Sequence, residues 1–442
     1  MMARTSLIIL ASLASYVVAV PTPVSPLSDR AALAEPAEFT GNPTPGGGQG
    51  SYKDSPHFRI YNAPSTSVAD KGISLLESAY TCFITNLGYR STGLSYKAAN
   101  DNGPWYKMNI YSHDSLPGAA GTMGSDYGTG LAFIDVDDNY IGTAAVIVHE
   151  WGHALTYVEK NWVDQGNTGA WWETVANFIA DTYITSPLCA SARSAYSQPE
   201  GASTVDLRKV IGDSFQVIVD GSVNTGNYYE AWPLFSYLTY NPDNYSGLGT
   251  DTLKNLWRQY SLKSNETPLH TLQRLLGSAN TVQKVVARYW ARMAYVDIGY
   301  AKGQQAFTSI RSSLNYANLD STGSGNYRVK SARQPKYFGS NIIPLKFSSS
   351  SGGTVSVKVA VVSGSASTAY TATLAVRNKS SGAVRYIDVV SGSGSATVSS
   401  TEEASLVVVN TPAQLYTYDP FKITGDVAKG LDYTVQITGA TA

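Results

Sequence analysis

Hydrophobic and polar positions divide the chain into two styles of folding. Between residues 70 and 87 apolar side chains recur at helical spacing (Ile73, Leu76, Tyr80, Phe83, Leu87), and Gly88 ends the run. Residues 141–158 are apolar on most sides, which predicts a buried helix. Residues 170–184 predict a second helix that stops near Pro187, and further helical pattern follows at 229–238, 252–260, 267–276 and 282–294. Short strands are expected around Phe58, at 107–111 and at 130–136, with a glycine-rich loop, GAAGTMGSDYGTG, between the last two. After about Asn326 the period becomes two: VSVKVAVV, YTATLAVRN, VRYIDVV, ASLVVVN and YTVQIT alternate apolar and polar residues. The expected architecture is an α+β domain over residues 56–325, followed by an all-β sandwich or jelly roll over 326–442.

The N-terminus fits neither style. Arg4 followed by the apolar stretch from Leu7 to Val20 reads as a secretory signal peptide over residues 1–20. Residues 21–55 are rich in Pro, Gly, Ser and Ala without a hydrophobic period, so a disordered linker or short pro-segment is expected there. A secreted, extracellular protein follows from the leader. Two cysteines, Cys82 and Cys189, suit one disulfide in that compartment. The sequons at Asn244, Asn265 and Asn378 suit a glycoprotein. The formal net charge is -1 and there is no long basic run, which argues against nucleic acid or an anionic membrane as partner. A monomer is expected.

The chemistry concentrates in the buried helix. His149 and His153 stand four residues apart in His149-Glu150-Trp151-Gly152-His153, just over one turn, so both imidazoles leave the same face. Two imidazoles so placed can grip one zinc ion at ~2.0–2.1 Å. Glu150, beside the first of them, is placed to reach a water rather than the metal. A catalytic zinc needs a third protein ligand and an open position. The next helix offers Glu173, 20 positions after His153. The chain has five histidines, and this motif uses two.

His-Glu-x-x-His followed at that distance by Glu on a second helix resembles the thermolysin-like gluzincin metallopeptidases. The resemblance spans roughly residues 105–185. It implies a zincin-like catalytic domain, a small sheet plus active-site helices with a helical second half. It implies one catalytic Zn2+ held by His149, His153 and Glu173, with Glu150 as general base and a protein or peptide as substrate. The whole layout, including the SNIIPL and LVVVN strands, is also similar to an uncharacterised family of secreted metallopeptidase-like proteins with a C-terminal β-domain. One departure stands out. The gluzincins place an Asp one turn after the ligand Glu, bonded to the first His. Here that position is Asn177, and Asp181 follows a turn later. The Asn177 carbonyl can accept from an imidazole N–H, while Asp181 is open to capping, to pairing elsewhere or to bonding His153.

The implied reaction is hydrolysis of a peptide bond, with Glu150 taking a proton from water and passing it to the leaving nitrogen. An oxyanion-stabilising group is expected from the downstream helices. Tyr229 and Tyr228, in GNYYEAW, are the first choice and His270 the second, whereas His57 and His113 lack any partner pattern. The resemblance also implies an edge strand pairing with extended substrate, here Gly130, Leu131 and Ala132. Asp135, Asp137 and Asp138 offer oxygens to Ca2+, but without the Gly and terminal Glu of an EF-hand they read first as a turn. Two other functions fit the same residues: a zinc hydrolase acting on carbohydrate or another amide, suited by 30 Tyr and 8 Trp, and a non-enzymatic adhesion protein. An intact Glu150 argues against the last, since a purely structural site needs no base.

Overall fold

The computed structural model describes residues 34–224, 226–348 and 352–442, so the expected leader at 1–20 lies outside the described residues. The fold is mixed α and β, with open sheets and no barrel among the described residues. Two compact units divide it. One runs to Val158 and includes Ala195–Gln198; the other comprises Glu159–Ser194 and Pro199–Ala442.

The first unit is built on a five-stranded sheet of β1 (Tyr52–Asp54), β2 (Phe58–Tyr61), β3 (Met108–His113), β4 (Gly121–Asp126) and β5 (Leu131–Asp137). Its order is β1-β2-β3-β5-β4. The three central strands run parallel, and β1 and β4 are antiparallel at the edges. Helix α1 (Thr66–Tyr80) begins where Ser65 accepts from the Val68 amide, and continues as a π turn at Thr81–Asn86. Helix α2 (Ala144–Val158) packs on β4 and β5.

Two expectations change here. The strand β4 lies inside the segment read as a glycine-rich loop. Residues 39–54, read as part of a linker or pro-segment, are fastened to the sheet. Phe39 is buried, Tyr52–Asp54 pairs with β2, and the Asn109 amide donates to the carbonyls of Asn42 and Pro45 at 2.8 and 2.9 Å. The Tyr111 hydroxyl donates to Pro45 O at 2.6 Å and accepts from the Gly48 amide at 2.9 Å. Polar side chains of β3 therefore hold a segment that has no apolar face of its own.

The second unit carries α3 (Gly169–Thr185), α4 (Ala190–Ala195), α5 (Leu207–Gly212), α6 (Asn227–Glu230), α7 (Pro233–Tyr240), α8 (Thr252–Arg258), α9 (Pro268–Leu276), α10 (Val282–Met293) and α11 (Ala301–Ile310). The helix expected over 229–238 is thus two, because Pro233 has no amide proton to continue the first and starts the next. Then come β6 (Leu319–Gly323), β7 (Asn326–Val329), β8 (Ser340–Leu345), β9 (Gly352–Val361), β10 (Tyr370–Asn378), β11 (Val384–Asp388), β12 (Ser393–Ser399), β13 (Glu402–Asn410) and β14 (Tyr433–Thr438). They form two antiparallel sheets, β11-β10-β13-β8 and β12-β9-β14-β7-β6. Val355, Val357, Val359, Val435 and Ile437 of one share a core with Leu374, Val376, Leu406 and Val408 of the other. The period-two pattern has therefore made a sandwich.

The later helices before residue 325 and the strands after it lie within one compact unit. Trp290 donates to Phe338 O at 2.8 Å, Arg311 forks onto Glu403 at 3.0 and 2.6 Å, and Tyr386 donates to Asp297 at 2.8 Å. These contacts join the later helices to the sandwich in one unit. Cys82 and Cys189 are both disulfide-bonded and no cysteine is free. Among the described residues no helix is long and apolar enough to cross a membrane.

Candidate metal centre

Trp151 sets the rotation of α2. Its indole is fully buried against Phe58, Tyr80 and Phe83, and its N–H donates to the Thr92 hydroxyl at 3.1 Å. Residues two before and two after it must then leave the opposite side of the helix, since 3.6 residues make a turn. Those residues are His149 and His153, and both are half-buried. Their Nε2 atoms stand 3.2 Å apart, with the rings nearly perpendicular. Two ligands at ~2.0–2.1 Å on tetrahedral positions of one ion would stand ~3.3–3.4 Å apart. Glu150, between them in sequence, is 8% exposed and lies over the start of β4.

Glu173 is in the second turn of α3. The residue is half-buried, and its helix belongs to the second compact unit, whereas His149 and His153 belong to the first. Two nitrogens and a carboxylate oxygen suit zinc.

One turn after Glu173, Asn177 donates its amide N–H to Tyr229 O at 2.6 Å, which turns its carbonyl oxygen the other way. Thr174 donates to Tyr228 O at 2.5 Å. Two side chains flanking the Glu173 turn thus clasp the backbone of α6, which carries Tyr228 and Tyr229. The two phenol rings lean on each other at 4.4 Å, and Tyr228 meets Phe421 edge-on. Nothing in the residue pattern announced this clasp, because Thr and Asn at single helix positions carry no periodic signal.

Of the roles open to Asp181, the structure shows pairing elsewhere. Its carboxylate accepts from Ser203 Oγ at 2.9 Å, Thr204 N at 2.7 Å, Thr204 Oγ1 and Thr185 Oγ1 at 3.2 Å, and the Tyr300 hydroxyl. These neighbours, rather than an imidazole, occupy it. Burial outweighs the donors and holds the carboxyl above its ordinary value.

The substrate-strand assignment also moves. Strand β5 is interior, between β3 and β4. Gly130 turns the β4–β5 hairpin at φ 73, with its N–H on Asp126 O and its carbonyl taken by Tyr96 N. Leu131 and Ala132 are buried and paired with β4. The edge is β4, hidden in the sequence because glycines stand where neighbours press close: a Cβ at Gly124 would meet the Phe133 ring at 2.4 Å.

Of the acidic cluster, Asp135 and Asp137 lie on β5 and Asp138 in the turn that follows it. Asp135 pairs with His113 at 2.7 Å, Asp137 accepts from the Asn139 backbone and side chain at 2.9 Å, and Asp138 takes the Ser112 hydroxyl. The remaining histidines also have local partners. His57 bonds Glu77 at 2.6 Å and stacks on Tyr80. His270 meets Thr267 at 3.0 Å, and burial holds its imidazole below its ordinary value.

No curated protein and no solved structure matches the chain. Residues 59–442 match the model of a family of unknown function, DUF6055, and the chain belongs to that family.

Proposed function

We propose that this protein is a secreted zinc-dependent endopeptidase with a zincin-like catalytic centre, its metal ligated by His149, His153 and Glu173. The observation that carries the reading is the pair of imidazoles on one face of α2, their Nε2 atoms 3.2 Å apart at near-tetrahedral spacing for a shared zinc. A bound zinc would polarise the scissile carbonyl and acidify a water. Glu150, adjacent to the first ligand and seated against β4, takes the proton from the attacking water and returns it to the leaving nitrogen. Asn177, its amide oriented by Tyr229 O, presents its carbonyl oxygen to an imidazole N–H and fixes the tautomer. Tyr228 and Tyr229 supply the donor for the developing oxyanion.

Extended substrate adds to the outer edge of β4, which pairs with no further strand among the described residues. The paired cysteines and the leader-like N-terminus support secretion.

The test uses the purified chain, zinc counted by elemental analysis, and a mixed peptide library. Glu150→Gln is expected to keep stoichiometric zinc and lose activity by several orders of magnitude; His153→Ala is expected to lose the metal. A wild-type protein that binds zinc yet cleaves neither peptides nor casein would sink the peptidase reading.

A further inference from the structure

Gly121 opens β4 opposite Val136 of β5, on the face against which α2 packs. A Cβ built there would stand 2.9 Å from Glu150 Cγ, 3.4 Å from Glu150 Cδ and 3.3 Å from Val146 Cγ1. Side-chain carbons do not approach closer than about 3 Å, where repulsion climbs steeply. Gly121 is not among the glycines with positive φ, so its backbone conformation is open to any residue. What position 121 lacks room for is therefore a side chain, and the atoms in the way belong chiefly to Glu150. The other glycine that opens space in this strand, Gly124, meets Phe133 instead.

We infer that Gly121 is a positioning residue: its missing side chain is the space that lets Glu150 lie down against the edge strand. The inference rests on the hydrolase reading above and deepens it. A peptide paired to β4 would pass at the height of that strand. A base held off by even one methyl would stand above the bond rather than beside it, and misplacement on the order of 1 Å can cost about a hundredfold in rate. Val146, one turn before Glu150, borders the same space, but through a methyl that can turn aside.

The experiment compares zinc-loaded wild type, Gly121→Ala, Glu150→Gln, the double variant, and Gly353→Ala. Position 353 serves as control because a Cβ there meets nothing within 4 Å. The expected result is that Gly121→Ala keeps zinc and thermal stability while kcat falls at least tenfold and KM stays within about twofold. Adding Gly121→Ala to Glu150→Gln should cost nothing more, because the damage acts only through Glu150. Metal-free crystals of Gly121→Ala should show the Glu150 carboxylate displaced while the α2 backbone stays in place.

An unchanged kcat would overturn the inference, as would a loss of equal size with and without Glu150. A Gly121→Ala protein that fails to fold or to bind zinc would overturn it too, because the glycine would then be a packing residue. If wild type hydrolyses nothing, the hydrolase reading fails separately, and the crystallographic displacement still decides whether Gly121 sets the place of Glu150.

Discussion

Glu173 and Asp181 stand eight residues apart on α3 and meet opposite surroundings. Asp181 is sunk among hydroxyls and one backbone amide of its own unit, and its position is a matter of stability. Glu173, half-buried in the second turn of the same helix, is the third ligand proposed for the zinc. The same functional group on the same helix is thus a structural anchor in one place and a candidate metal ligand in the other. Residue type does not separate the two roles. The partners do: donors whose hydrogens satisfy a carboxylate leave it little to give a cation.

The sharpest way to test the contrast is to remove each acid in turn. Glu173→Gln should weaken zinc binding by roughly two to three decades, taking about 10–16 kcal/mol for a four-ligand zinc site as shared among its ligands. The stability of the metal-free protein should hardly change. Competition with a chelator reads the first quantity and denaturant unfolding the second; a fall in both would erase the distinction. Asp181→Ala should do the reverse. The hydroxyls of Ser203, Thr204, Thr185 and Tyr300 can re-aim, but the Thr204 amide cannot. A loss of about 2–3 kcal/mol is expected, with zinc stoichiometry intact in the folded protein.

Asp181 also carries a pH signature. Its carboxyl is raised above the ordinary value in the folded protein. A group of that kind favours the fold most fully below its unfolded pKa, about 3.9 for Asp, and that contribution is lost as pH rises through the folded value. The stability of wild type relative to Asp181→Asn should therefore decline as pH climbs out of the acid range. A gain with rising pH would mean that the five donors outweigh burial. The smallest effect should come from Thr174→Val, which removes one hydrogen bond to Tyr228 O and costs about 1 kcal/mol. Its interest lies in the split it should produce, with zinc affinity unmoved and kcat reduced through a loosened α6.

Much of this was legible along the chain. The positions of α2 and α3 follow from apolar spacing to within a few residues, and His149 and His153 share a face because four residues make one turn. The period-two tract became two sheets around one core, with the burial of β9 alternating as its sequence does. Other features were not legible. Strand β4 reads as a loop because its glycines lack side chains to display a period, yet those gaps are where Glu150 and Phe133 lodge. Residues 39–54 look unstructured because what holds them belongs to β3. Pro233 divides what apolar spacing alone would join.

By itself, then, the sequence determined the features that depend on neighbours within a turn or along a strand: helix faces, strand alternation, and the pairing of two histidines with a glutamate between them. Tertiary structure decided which strand forms the sheet edge, which donors occupy Asp181, and where the chain divides into compact units. The reason is range. The donors that occupy Asp181 come from 4 to 119 positions away, and no local pattern encodes a hydroxyl that arrives from so distant a part of the chain.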